Sequence, residues 1–258
     1  MASRHAVQRA AGAAVVEVWD LPLRLFHWSL VVAVGMAIVT AKAGGEWMAW
    51  HGRAGLFILG LVVFRVVWGL VGSNHARFIH FAPTPGRIKA YLSGHWHGLG
   101  HNPLGALSVF ALLGVLGFQS CTGLISNDDI SFTGPLASLV SEELSLSLTG
   151  WHHRVGNALL ALVALHVAAI LFYRLIKKEN LLKPMVTGVK PVDEAPPGTP
   201  ALVKAHPLAL WLSIAASAVA VWAANGTWIK ASATPVPASS VAAPDAASSA
   251  ASQGAPVW

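Results

Sequence analysis

Hydrophobic residues gather along this chain in five long runs, at about 25–41, 48–72, 104–126, 151–176 and 207–224, with polar or turn-rich stretches between them. A helix rises about 1.5 Å per residue, so about 20 apolar residues cross a hydrocarbon core about 30 Å thick. The three middle runs have that length. The first and last are shorter, but flanking Trp and Tyr side chains suit anchoring at the membrane interface. The pattern predicts an all-α membrane protein, a four-helix transmembrane bundle followed by a fifth, C-terminal transmembrane helix.

The stretches between the runs divide the chain further. Residues 1–16 read as a short basic, Ala-rich arm, and 17–190 as the four-helix unit. Residues 191–204 read as a Pro-rich cytoplasmic linker, and 205–226 as the fifth helix with Pro207 in its first turn. Residues 227–258 are Ala, Ser and Pro with little charge and are expected to form a disordered external tail. Asp20 and Pro22 are start signals for the first helix, and a short surface helix is expected at about 136–144.

Composition agrees with the pattern. Hydrophobic residues make up 55% of the 258, charged residues 11%, and mean hydropathy is +0.59; a soluble domain is excluded. The net charge of +6 is no nucleic-acid signal, because the basic residues follow the loops. Arg4, Arg9 and Arg24, then Arg77, Arg87 and Lys89, then Arg174, Lys177, Lys178, Lys183, Lys190 and Lys204 all fall on one side. The other side holds Lys42, Arg53, Arg154 and Lys230 with the acids Asp128, Asp129, Glu142 and Glu143. The positive-inside rule then predicts a multi-pass protein of the bacterial inner membrane, N-terminus cytoplasmic and C-terminal tail periplasmic. No charged-then-apolar stretch with a cleavage site precedes the first run, so no removable signal peptide is expected.

Four histidines are matched in depth. His152 and His166 are fourteen residues apart in one run, close to four helical turns, so they share a face about 21 Å apart along the axis. His27 lies in the first turns of the first helix, level with His166; His51 opens the second helix from the other side, level with His152. Histidines so far apart cannot share a metal ion, which argues against a diiron site, but each can hold one haem iron opposite a partner. His27 with His166, and His51 with His152, predict two bis-histidine haems stacked across the bilayer. Filled axial positions favour electron transfer over oxygen chemistry. The single Cys121 leaves no CxxCH attachment site, so the haems are expected to be noncovalent, b-type.

Neighbouring residues refine the site. Gly55 and Gly156 each follow a histidine by four residues and clear room on its face for a flat macrocycle. His153 points about 140° away from His166 around the helix and is expected at the outer aqueous boundary. Gly105, Gly114, Gly117 and Gly123 of the third helix allow close approach of a helix or macrocycle. Arg65 lies fourteen residues beyond His51 on the same face. It either snorkels to the interface or pairs with a haem propionate. The loop at 73–102 carries His75, His80, His95, His97 and His101 without zinc-site spacing; His101 alone is held as a reserve ligand or quinone contact.

The segments RLFHW around His27, WHGRAGL around His51 with Arg65 beyond it, WHHRVGNALLALVALH from His152 to His166, and KKENLLKPM after it resemble the bacterial cytochrome b561 family. That family includes the cytochrome b subunits of nickel-iron hydrogenases and formate dehydrogenases, and the resemblance covers about residues 17–186. It implies that the four matching histidines are axial ligands of two b haems, with quinone chemistry beside one haem and a periplasmic redox partner. Arg24 joins Arg65 as a candidate propionate partner. The expected function is a dihaem cytochrome b carrying electrons between the quinone pool and a periplasmic protein such as a cytochrome c, which the acidic outer loop would suit. The alternatives are a membrane-anchor subunit passing electrons from a periplasmic hydrogenase or other dehydrogenase to quinone, and a haem-free membrane anchor or scaffold.

Overall fold

The computed structural model describes residues 14–96, 98, 100–192 and 202–229. The chain divides into residues 1–228 and a C-terminal unit, 229–258, of which only Ile229 is described. The expected disordered tail, most of the basic arm, most of the Pro-rich linker and His97 therefore lie outside the described residues.

Among the described residues, five helices are long and apolar enough to cross a membrane. They are α1 (Leu21–Ala43), α2 (Met48–Val71), α5 (Pro103–Ile125), α6 (Glu142–Leu175) and α8 (Pro207–Ala224), with α3 (Phe78–Phe81), α4 (Pro85–Leu92) and α7 (Leu182–Thr187) as short connectors. A two-stranded antiparallel sheet pairs β1 (Ala14–Glu17) with β2 (Val189–Val192). Side chains such as Val32 and Leu165, 70% and 66% exposed, face outward, where lipid rather than protein is their apolar solvent.

Local chemistry sets the helix ends, and several differ from the sequence expectation. Helix α1 begins at Leu21 rather than near residue 25, because Asp20 caps it by accepting from the Leu23 amide at 2.8 Å. Helix α6 begins at Glu142, about two and a half turns earlier than the apolar run suggests. Ser141 caps it and two glutamates sit in its positive first turn. The surface helix expected at 136–144 is only a single 3-10 turn, Ala137–Leu139, before that cap. Residues 14–16 belong to β1, so the arm's last residues are tied to the stretch after α7. Helix α8 starts as expected, with Pro207 in its first turn behind the His206 cap.

The helices pair α1 with α2, α2 with α5 and α8, and α5 with α6. Helix α8 sits tightly on α2: Ser217 Oγ donates to the Gly60 carbonyl at 2.7 Å, and a Cβ at Gly60 would lie 2.9 Å from Val221. Helix α6 leans mainly on α5, so the histidine face of α6 fronts the space between it, α1 and α2. At the His27 end the bundle is clipped together. Val18 and Trp19 amides donate to the Gly188 carbonyl at 2.8 and 3.1 Å, while the Tyr91 and Tyr173 hydroxyls and the Asn102 amide join α4, α5 and α6.

Below that clip, Gly69 on α2 makes room for the Phe78 ring, which a Cβ would strike. Because Phe78 is wedged between α2 and the Phe81 and Phe110 rings, it has little freedom to withdraw. Gly69→Ala is expected to destabilise the protein by about 1–3 kcal/mol, as overpacking does. A fall in thermal midpoint in detergent measures it.

Candidate functional site

At the His51 end, α1, α2, α5 and α6 enclose a cavity of about 750 Å³ lined by His51, Gly55, Gly123, His152 and Gly156 among others. That volume is within the range of ligand pockets, about 300–1,000 Å³. The His51 and His152 rings face each other with centroids 6.1 Å apart and planes at 88°. An imidazole nitrogen sits about 2 Å from a bound metal ion and about 1 Å from its own ring centre, so two imidazoles on one ion have centroids about 6 Å apart.

The hydrogen bonds decide which nitrogen is free. His51 Nδ1 donates to the Ala37 carbonyl at 2.9 Å. Thr122 Oγ1 spends its proton on the Phe118 and Gln119 carbonyls at 3.0 and 3.1 Å, so it accepts from His152 Nδ1 at 3.1 Å. Both Nε2 atoms are therefore left unprotonated, each with a lone pair to offer a metal. Gln119 Nε2 adds a bond to the His152 carbonyl at 2.9 Å. A Cβ at Gly123 would lie 3.0 Å from His152 Cε1, so that glycine lets the imidazole rest on α5. Gly55 has open space where a side chain would point, and Gly156 abuts Gln119. His153 is exposed.

Thr122, Gln119 and Gly123 do not stand out in the sequence as site residues, although QSCTG is a polar interruption of an apolar run at the depth of His152. Thr122→Val keeps the shape and removes the acceptor that fixes the His152 tautomer. Haem retention at this end is expected to fall about 10–100-fold, measured as the rate of haem loss to apomyoglobin.

The His27 end is built differently. His27 and His166 lie close enough for their charges to interact, and His166 Nδ1 meets Ser108 Oγ at 3.3 Å. Arg65 does not snorkel: it is 2% exposed, with its guanidinium over the Phe78 ring at 4.5 Å and neither terminal nitrogen hydrogen-bonded. Asp20, the acid whose charge reaches Arg65, is already engaged by Leu23, Trp68 and Ser73. Arg24 gives one guanidinium nitrogen to the Val186 carbonyl at 2.6 Å and keeps its Nε buried without a partner. His27 Nδ1 and His101 Nδ1 are also buried and unpaired. Each such orphan costs about 1–3 kcal/mol, so this cluster of donors suits an anionic group among them.

His101 itself is sandwiched between the Trp19 and Phe81 rings, at centroid distances of 4.5 Å each. Burial, reinforced by the nearby Arg65, His27 and His75, pushes its imidazole down to about 3. It is neutral at any physiological pH. The other described loop histidines have ordinary contacts where they have any, such as His75 with the Val18 carbonyl at 3.1 Å and His95 with Ser93 at 3.0 Å. Among the described residues no group of three or more His, Cys, Asp or Glu could hold a metal ion.

The acidic outer loop is partly a folding device. Burial pushes the Asp128 carboxyl up, but amides of Phe132, Ser131 and Ile130 and the Ser131 hydroxyl all donate to it and hold it at about 2. Its loop places Phe132 edge-on to His51, centroids 6.3 Å apart, at the cavity wall.

Comparison with known proteins follows the same lines. Over 214 residues the chain is 27% identical to a probable Ni/Fe-hydrogenase B-type cytochrome subunit of Azotobacter vinelandii, covering 67% of this chain and 87% of that protein. It is 26% identical over 212 residues to the corresponding subunit of Azotobacter chroococcum mcd 1, with the same coverage. Against the probable Ni/Fe-hydrogenase 1 B-type cytochrome subunit of Escherichia coli K12 the identity is 22% over 213 residues, covering 67% of this chain and 89% of that one. No solved structure matches the chain. The sequence profile of prokaryotic cytochrome b561 matches residues 18–188, which contain all four depth-matched histidines, and the chain is therefore a member of the prokaryotic cytochrome b561 family, a multi-pass b-type cytochrome.

Proposed function

We propose that this chain is the cytochrome b subunit that links a hydrogenase-type catalytic protein to quinone, with two b haems held by His51 and His152 at one end and by His27 and His166 at the other. The observation that carries the proposal is the His51–His152 pair: rings 6.1 Å apart at the wall of one cavity, each with Nδ1 tied off and Nε2 left as the nitrogen with a lone pair. Haem b, when bound, supplies a one-electron couple, and bis-histidine ligation keeps it to electron transfer. Around it the chain's own groups do the rest. Ala37 and Thr122 hold the imidazole tautomers, Gly55 leaves room for the macrocycle, and Phe132 covers the cavity wall. At the other end Arg65, with Arg24 beside it in role, holds the propionates, and quinone reacts near that haem. The loop distribution of Lys and Arg supports an orientation in the inner membrane with the His27 end cytoplasmic and the His51 end periplasmic.

The relatives' names favour a hydrogenase partner over a soluble cytochrome c. The Asp128 carboxylate is also engaged by amides of its own loop, which weakens the case for an acidic docking face. The test is to purify the tagged chain from its native membranes and expose it to hydrogen. A co-purifying nickel-containing protein, with b-haem bands reduced by hydrogen, is the expected result. A chain free of nickel, inert to hydrogen, reduced by quinol and reoxidised by ferricytochrome c would restore the cytochrome c reading instead.

A further inference from the structure

We infer that His101 is a second donor to the carboxylate that Arg65 binds, so that the two side chains form one cradle for a propionate of the haem at the His27 end. The inference rests on the two-haem reading above. Three observations carry it. Arg65 is 2% exposed, and both its terminal nitrogens lack a hydrogen-bond partner. A guanidinium presents its donors in a planar fork that matches a carboxylate. Asp20, the acid whose charge it feels, already accepts from an amide, an indole and a hydroxyl, so the matching carboxylate comes from a bound group.

His101 Nδ1 is buried and equally unpaired. Its ring cannot turn away to find water, because Trp19 and Phe81 hold it on two sides at 4.5 Å. Phe81 also lies under the Arg65 guanidinium, at 5.9 Å, so one aromatic ring positions both groups. The charged or titratable neighbours that act on His101 are Arg65 of α2, His27 of α1 and His75 of the connector after α2. All are basic, so none is a carboxylate partner. An uncharged imidazole beside the guanidinium adds a hydrogen bond without adding a second positive charge to a buried site, where like charges repel strongly.

A donor to an ionised propionate lowers that group's pKa, and the propionate's charge in turn sets how the haem's midpoint potential varies with pH. The test is a redox titration of purified holoprotein between pH 5 and 9, with haem content measured on the same samples. His101→Leu is expected to move the pH break of one midpoint upward and leave the other haem unchanged. His101→Gln, which keeps a donor, is expected to restore the break, and Arg65→Gln to move it further than His101→Leu. Both haems retained with an unmoved break in His101→Leu would overturn the inference while leaving the two-haem reading intact. An unmoved break accompanied by weaker binding of a quinone-site inhibitor would also overturn it, by assigning His101 to the quinone. Wild-type protein holding no haem sensitive to His166→Ala would remove the two-haem reading and the inference together. If His101→Leu does not fold, His101→Phe, an aromatic ring without a donor, takes its place: a break moved upward supports the cradle, and an unmoved break with both haems retained overturns it.

Discussion

His152→Ala is expected to remove one haem from the protein and leave the other in place. The His51 and His152 rings stand 6.1 Å apart across one cavity, while His166 lies four turns away on the same helix. Loss of a single imidazole leaves an open axial position at the His51 end only. Five-coordinate haem held by His51 alone would be weakly retained and high-spin, whereas the haem at the His27 end keeps both ligands. Haem per chain should fall by about one equivalent, and His51→Ala should reproduce the result. The double variant His152→Ala with His166→Ala should hold almost none. If His152→Ala kept its full haem complement with an unchanged low-spin spectrum, another residue would have to be the ligand, and exposed His153 would be the first to test.

The second large effect concerns Arg65. A cation within a membrane helix costs up to about 2.5–3.5 kcal/mol, the figure for the helix centre on insertion scales, and Arg65 has no hydrogen-bonding partner for its terminal nitrogens. Two opposite consequences follow from Arg65→Met, which preserves length and packing against Phe78. In haem-depleted protein the substitution removes an unpaired buried charge, so the thermal midpoint should rise. In holoprotein it removes the propionate's counter-ion, so haem at the His27 end should dissociate faster. A purely structural arginine would give neither effect or would lower stability in both forms. Measuring both forms side by side separates the two roles.

How much of this was readable in advance depends on which solvent each residue faces. The spans were legible because a lipid-facing side chain must be apolar wherever it sits, and Val32, Leu165 and Trp211 keep that rule while mostly exposed. That His51 and His152 come together was legible because depth follows from counting along straight helices. The start of α6 was not: Ser and Leu alternate in ELSLSLTG, which breaks the apolar run, and only the Ser141 cap shows that the helix continues. Strand β1 is four residues long and depends on β2, far along the chain, so no local pattern announces it. Thr122 and Gln119 escaped because their roles depend on α5 and α6 packing side by side. His101 looked like one loop histidine among several; its burial comes from Trp19 and Phe81, which are distant in sequence. The sequence allows Arg65 either to snorkel or to pair, and its burial against Phe78 decides against snorkelling.

The central claim is that one chain holds two bis-histidine haems. It is tested most directly by a pyridine haemochrome assay on the purified protein, set against polypeptide concentration and a reduced-minus-oxidised spectrum. The expected result is about two b haems per chain, both low-spin. A single haem, or two with a high-spin signature, would contradict the pairing of His27 with His166 and His51 with His152.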